Sequence, residues 1–257
     1  FRGNKACTQS ATTIFAAEPV SNWYYGLTLM NSLFVGNSSK VRPCVAHFGG
    51  SANNNVTVKS CTFAYNAVAT EDNREGSYAT GANGGLVLDQ RDYNGSTYIW
   101  DMTDTIFYGN RCNGQPGVDY KASGANGILG TPKPQYLLFE NATAYNFGTV
   151  DATAQHYLFG DPLFATSQPT VSFDGNYIPT WSVDPSAMDV HLQSKEGRWN
   201  GSAWVNDTVT SPAIDAGNPD DDYAGEPEPN GGRVNLGNYG NTPEATMSKI
   251  GTLIFVK

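Results

Sequence analysis

The sequence predicts an all-β fold in which the chain coils repeatedly, each coil laying strands beside the equivalent strands of the coil before. Three observations carry this. A heptapeptide recurs as Asn31-Ser-Leu-Phe34-Val-Gly-Asn37, Ser60-Cys-Thr-Phe63-Ala-Tyr-Asn66 and Asp104-Thr-Ile-Phe107-Tyr-Gly-Asn110. Each copy follows a pair of apolar residues two apart, Leu27 and Leu29, Val56 and Val58, Trp100 and Met102, which share one face of a strand. The Phe-to-Phe spacings of 29 and 44 are too uneven for a helical repeat. A β-solenoid accommodates them, because extra residues leave as loops while the coil beneath is unchanged.

Along the chain, residues 1–22 are expected to form an N-terminal cap or edge, 23–165 the coils, and 166–257 further coils and an irregular capping region. Stacked in register, Phe34, Phe63 and Phe107 form an internal aromatic column, each ring contributing about 1.5–3 kcal/mol of burial. Asn37, Asn66, Asn110 and Asn146 are expected to form an amide ladder at a tight turn, where Asn tolerates a left-handed backbone. A fourth copy, Glu140-Asn-Ala-Thr143-Ala-Tyr-Asn146, lies 36 residues beyond Phe107, keeps the Asn and loses the Phe, with Tyr136 and Leu138 as its strand pair. A second strand follows the first three copies, at Cys44-Val-Ala-His-Phe48, Gly85-Leu-Val-Leu88 and Gly127-Ile-Leu129.

Composition fits this fold and excludes others. The 257 residues can bury a real core, only 15% are charged, and Gly, Asn, Ser, Thr and Tyr, the residues of turns and sheets, are abundant. A net charge of −9 argues against nucleic acid and anionic membranes, which select clustered Lys and Arg. No apolar run is long enough to cross a bilayer. The chain starts at Phe1 without a signal peptide and reads as the product of processing or truncation. Cys7, Cys44, Cys61 and Cys112 contain no Cys-x-x-Cys pair, so a zinc site is not expected; one or two disulfides and buried free thiols both remain open. Six Asn-x-Ser/Thr sequons, at Asn37, Asn55, Asn94, Asn141, Asn200 and Asn206, are what chance gives in so Asn-rich a chain.

These repeats resemble the secreted right-handed parallel β-helix proteins of bacteria. The second half adds an ordered series: Gly160-Asp-Pro-Leu-Phe164, Asp189-Val-His-Leu192, Ser211-Pro-Ala-Ile-Asp-Ala-Gly217, Glu226-Pro-Glu-Pro-Asn-Gly-Gly-Arg233 and Arg233-Val-Asn-Leu-Gly-Asn-Tyr-Gly240. It is similar to the C-terminal region of choice-of-anchor surface proteins. The resemblance covers about residues 23 to 245. It implies a secreted or cell-surface location and a fold whose members range from adhesins to carbohydrate-active enzymes.

Chemistry is expected on the loops, which a rigid stack would line up along one flank. The loop Ser38 to Arg42 is short; that from Ala67 to Gly84 carries Glu71, Asp72, Arg74, Glu75 and Tyr78; that from Arg111 to Asn126 carries Asp119, Tyr120 and Lys121. Asp89-Gln-Arg-Asp-Tyr93 and Gly130-Thr-Pro-Lys133 leave another corner. Arg74, Tyr78, Arg91, Tyr93, Arg111, Asp119, Tyr120 and Lys121 are the candidate glycan-binding residues, since aromatic rings offer sugars an apolar face with a polar edge. Solvated loops without a ligand are the competing reading.

A lyase would need a base, plus Arg or calcium to neutralise a uronate, from Arg74, Arg91, Arg111 and Lys121. A hydrolase would need two carboxylates across a sugar bond, from Glu71, Asp72, Asp89 and Asp119. No catalytic residue is assigned, no G-x-S-x-G occurs, and His47, His156 and His191 stand apart in sequence. The loop Asn218-Pro-Asp-Asp-Asp222-Tyr-Ala-Gly-Glu226 gathers Asp220, Asp221, Asp222 and Glu226 as candidate calcium ligands, or as a solvated acidic loop paired with Arg233. The functional expectation is an extracellular structural or glycan-binding module whose partners are glycans or copies of itself, assembled end to end; the alternative is a polysaccharide lyase or hydrolase.

Overall fold

The computed structural model describes residues 1–6, 14–17, 27–40, 45–49, 55–70, 86–90, 99–112, 115–116, 120–123, 134–142, 145–146 and 151–249. Among them there is no α-helix, only a single 3-10 turn at Pro185–Ala187, where the Asp184 side chain accepts from the Ser186 backbone N–H.

Three sheets, almost wholly parallel, hold the described strands of the first 159 residues. One holds Leu27–Met30, Asn55–Lys59, Ile99–Tyr108, Gln135–Phe139 and Leu158–Phe159, with Leu33–Val35 and Thr62–Ala64 alongside. A second runs Lys5–Ala6, Ser38–Ser39, Ala67–Val68, Arg111–Cys112, ending on an antiparallel pair with Gln115–Pro116. The third runs Ile14–Ala17, Val45–Gly49, Leu86–Gln90, Tyr120–Ser123, Tyr145–Asn146. The chain visits these sheets in the same order on successive passes, so each pass adds one rung to each sheet.

The register is the one the heptapeptide predicts. Phe34 pairs with Phe63, and Phe63 with Phe107. Their rings stack at 4.8 and 4.9 Å, nearly parallel, and all three are fully buried. Asn37 donates from Nδ2 to Asn66 Oδ1 and Asn66 from Nδ2 to Asn110 Oδ1, both at 2.9 Å. The same Oδ1 atoms accept from the backbone N–H of Asn37 and Asn66 at 3.1 and 3.0 Å. Each buried amide is thereby satisfied by its neighbours above and below. At Asn37 this leaves no room for a glycan.

The register also extends and corrects the repeat. Phe1-Arg-Gly-Asn4 is itself a copy: Phe1 stacks on Phe34 at 4.9 Å, and Asn4 Nδ2 donates to Asn37 Oδ1 at 2.9 Å. At the other end the ring stacked on Phe107 belongs to Phe139, at 5.3 Å, so the fourth copy is Tyr136-Leu-Leu-Phe139 and not the alignment on Thr143. Burial of an aromatic ring outweighs continuity of the Asn pattern; Asn146 lies in the third sheet beside Lys121. The strand next to Leu86–Gln90 is Tyr120–Ser123, whereas Gly127-Ile-Leu129 lies outside the described residues.

Two columns of left-handed backbone mark the corners. Three residues before the Phe stand Asn31, Ser60, Asp104 and Tyr136, at φ of 42°, 49°, 54° and 52°. Two residues after it stand Gly3, Gly36, Tyr65 and Gly109, at φ of 60°, 62°, 57° and 66°. Gly109 is required twice over: a Cβ there would lie 2.6 Å from the Tyr65 ring, which fills the space beside it.

Residues 160–249 do not continue the parallel pairing. They form two short antiparallel hairpins, Val171–Phe173 with Pro179–Trp181 and Arg198–Trp199 with Trp204–Val205, joined by irregular chain. The described part of this segment lies along the flank of the rungs. Arg2 Nη1 reaches the Met188 carbonyl, Tyr65 Oη the Thr166 carbonyl, and Asn31 Nδ2 the Gly240 carbonyl. Its Phe164, Met188, Val190, Leu192, Ala213 and Leu236 bury the outward residues that flank the Phe column, Val35, Ala64, Ile106, Tyr108 and Leu138. The strands around the Phe column are thus buried on both faces.

Candidate functional site

The densest described polar cluster lies where this flanking wall crosses the corner column. Asp104 is fully buried, and its Oδ1 accepts from the backbone N–H of Asn218 at 2.6 Å. Its carbonyl accepts from Gly237 N at 2.8 Å. Asp221 comes from the same wall, and its Oδ1 takes the Lys59 ammonium at 2.5 Å. The second oxygens of both carboxylates are buried, and the two side chains face one another. Burial, then the hydrogen bond with Asp221, pushes the Asp104 carboxyl up to about 7, opposed by the Asn218 N–H and Lys59. Burial also acts to raise Asp221, but its bonds to Asp104 and Lys59 prevail and leave it below the usual carboxylate range. The pair therefore holds one proton between them. A split of this kind is the electrostatic pattern of acid–base machinery. Here, with Asp104 sealed from solvent, it serves to latch wall to rung.

The motifs of the second half are the parts of that latch. Gly217 ends Ser211-Pro-Ala-Ile-Asp-Ala-Gly217 and passes so close that a Cβ would lie 2.7 Å from Asp104 Oδ1. Ser211 Oγ donates to the Pro162 carbonyl at 2.5 Å and accepts from Ala213 N at 3.0 Å. In Arg233-Val-Asn-Leu-Gly-Asn-Tyr-Gly240, Arg233 binds the Gly217 and Ala216 carbonyls, and its guanidinium lies over Tyr136 at 5.3 Å. Asn235 receives the N–H of Asp215 at 2.8 Å and donates to the Thr246 carbonyl at 2.7 Å. Asn238 N donates to Thr62 Oγ1 at 3.0 Å. Between these strands the interface encloses a cavity of about 10 Å³, lined among others by Thr62, Ile106, Leu236 and Asn238, which is room for one water and no substrate.

A family model described as disaggregatase related matches residues 138–217. The match covers fewer than a third of the residues, from the strand that ends in Phe139 to the glycine over Asp104, and it contains both Gly160-Asp-Pro-Leu-Phe164 and Ser211-Pro-Ala-Ile-Asp-Ala-Gly217. No curated protein and no solved structure matches the chain.

The nominated glycan-binding residues fall differently. Arg74, Tyr78, Arg91, Tyr93 and Asp119 lie outside the described residues, as do Glu71 and Asp72. Tyr120 and Lys121, expected on a loop, stand instead in the parallel strand Tyr120–Ser123, because this stretch pairs with Leu86–Gln90; Asp89 is in that neighbouring strand. Arg111 is held by Glu140 through two bonds, Nη1 to Oε2 at 2.7 Å and Nη2 to Oε1 at 3.0 Å.

The acidic loop divides its carboxylates. Asp221 turns to Lys59, and Asp222 accepts from Ala224 N at 2.9 Å. Glu226 is buried, and its Oε1 accepts from Asn235 N and Asn241 N at 2.8 and 3.0 Å. Burial still pushes it up to about 7, against those two bonds. Among the described residues no three His, Cys, Asp or Glu gather as a metal-binding group.

A further network was not legible in sequence. Asp189 accepts from His191 Nδ1 at 2.6 Å and from Arg198 Nη1 at 2.9 Å, while Arg198 also binds Asp207 through Nε and Nη2 at 3.0 and 3.1 Å. His191 is buried, with its ring on Tyr239 at a centroid distance of 3.7 Å. Cys61 is a buried free thiol, and burial pushes it up to about 12, which makes it unreactive at neutral pH; Cys112 is buried as well. Cys7 and Cys44 lie outside the described residues.

Proposed function

We propose that the chain is a segment of a right-handed parallel β-helix, secreted or displayed at a cell surface, that serves as a structural and glycan-binding module of a disaggregatase-related protein. The solenoid reading is supported by the recurring order of three parallel sheets, with Phe and Asn columns running through successive rungs.

One observation favours support and recognition over catalysis. The cationic and acidic groups that the described surface brings together are engaged with one another: Lys59 with Asp221, Arg111 with Glu140, Arg198 with Asp189 and Asp207. Groups held in this way stiffen a scaffold and are not poised to move a proton on a substrate. The second reading is a polysaccharide lyase or glycoside hydrolase acting in the groove beside the longer loops. Calcium at Asp220 and Asp222, and end-to-end association of copies, belong to the proposal as accessory features.

The test is a panel of neutral and uronate polysaccharides, assayed both for retention of the protein and for release of reducing or unsaturated ends. Retention without product is the expected result. Product release would establish the second reading, and neither retention nor product would overturn both. Calorimetry with calcium on the wild type and on an Asp220→Ala/Asp222→Ala variant, and light scattering at high concentration, test the accessory features.

A further inference from the structure

We infer that the hairpin Arg198–Val205 is a docking platform for a neutral hexopyranose chain, with Trp199 and Trp204 as the stacking surface. This rests on the glycan-binding reading above but places the contact on the wall, on residues that the sequence did not nominate.

Trp199 and Trp204 are directly opposed across the two strands and therefore project on the same face. Their ring centroids are 5.6 Å apart and the planes are inclined by 58°, forming two walls of a shallow angle. Trp204 is 37% exposed, whereas the large side chains of the core are sealed. A tryptophan left in water on a short hairpin contributes little to stability there, and its usual use is recognition.

The platform is rigid at its base. Arg198, next to Trp199, is fixed by two bonds to Asp207 and one to Asp189. Asn206, two residues past Trp204, donates to the Lys195 carbonyl. Gly197 leaves space that Met247 and Trp204 occupy: a Cβ on it would lie 2.9 Å from Met247 Sδ and 3.7 Å from Trp204 Cε3. At the tip, Asn200 Oδ1 accepts from Ser202 N, Ser202 Oγ and Ala203 N at 3.0, 3.0 and 2.9 Å, which sets the turn. Rings held this way lose little entropy when a ligand stacks on them.

The rim identifies the ligand class. Asn200, Ser202, Asn206 and Thr208 are exposed neutral hydrogen-bonding residues beside the rings. The one cation built into the hairpin, Arg198, is already balanced by two carboxylates. With one guanidinium against two carboxylates, no uncompensated positive charge of the hairpin is left to select a uronate or a sulfated sugar, and the chain's charge of −9 disfavours one. A sugar ring with an apolar C–H face and neutral hydroxyls matches both the indoles and the rim.

The experiment uses the full chain, with hexasaccharides of glucose, mannose and galactose as neutral probes and oligogalacturonate as the charged comparator. Calorimetry and quenching of tryptophan fluorescence are the readouts. The expected result is binding of at least one neutral hexasaccharide, insensitive to salt and weakened tenfold or more by Trp204→Ala and by Trp199→Ala. Trp204→Tyr should restore most of the affinity, and unchanged melting of each variant shows that the fold is intact. Neutral-sugar binding unaltered in both alanine variants would overturn this platform while leaving glycan binding itself in place. Preference for oligogalacturonate would overturn the neutral selectivity. Binding of no probe and of no polysaccharide would overturn both the platform and the reading on which it rests.

Discussion

Replacing Asp104 by Asn isolates the latch between wall and rung. The amide keeps the acceptor for Asn218 N and can donate to Asp221, so the geometry survives while the ionisable proton is removed. In the folded chain the Asp104 carboxyl is raised from 3.8 to about 7 by burial and then by Asp221. A group raised in this way makes the folded state bind a proton that the unfolded chain releases, so stability is fully present below about pH 4 and is lost as pH rises through about 7. At 1.36 kcal/mol for each unit of pKa, the loss is bounded by about 4 kcal/mol. Asp221 has the opposite sign: its contribution is present above the ordinary carboxylate range and is lost only in acid, below the window in which Asp104 acts. Urea unfolding of wild type and Asp104→Asn at about pH 5 and about pH 8 is the assay. The two should be close at the lower pH, and the variant should be the more stable at the higher one. Parallel stability curves for the two proteins across that interval would refute the shared-proton account.

Three further changes probe the rungs. Phe63→Ala should cost about 3–5 kcal/mol in chemical denaturation by opening a cavity between two stacked rings, and Phe63→Leu clearly less. Asn66→Ala removes both donors and the shared acceptor of a buried amide; a loss of about 3–5 kcal/mol is expected, and a loss confined to a few tenths would show the ladder to be incidental. Gly109→Ala should lower the melting temperature both through its φ of 66° and through contact with Tyr65. Adding Tyr65→Ala should relieve the contact but not the backbone strain, so that the two changes together fall short of additive.

Much of the architecture was legible because the inward residues obey a fixed spacing: Phe and Asn three apart, with the apolar pairs before them. The same rule, applied to the first residues, identifies Phe1-Arg-Gly-Asn4, but a four-residue match lacks the preceding strand that made the other copies recognisable. It failed at Thr143 because alignment followed the Asn, whereas the structure follows the aromatic ring of Phe139. The covering of the rungs had a signal that went unread. Leu33 and Val35, Ile106 and Tyr108, and Leu138 all flank an inward Phe with further apolar side chains, the mark of strands buried on both sides. The latch was less accessible. Asp104 and Asp221 are 117 residues apart in a chain with many acidic loops, and only the fold of the wall brings them together. Arg111 looked like a surface cation because its partner, Glu140, lies a full rung away.

The Asn ladder has a direction. Asn4 gives its amide hydrogens to Asn37, Asn37 to Asn66, and Asn66 to Asn110, so every side-chain dipole points the same way along the stack. Such a column has a head and a tail that are chemically distinct. A rung grafted from another protein would mate only in one orientation, and polarity is therefore written into the axis of the molecule as firmly as it is in a strand of nucleic acid.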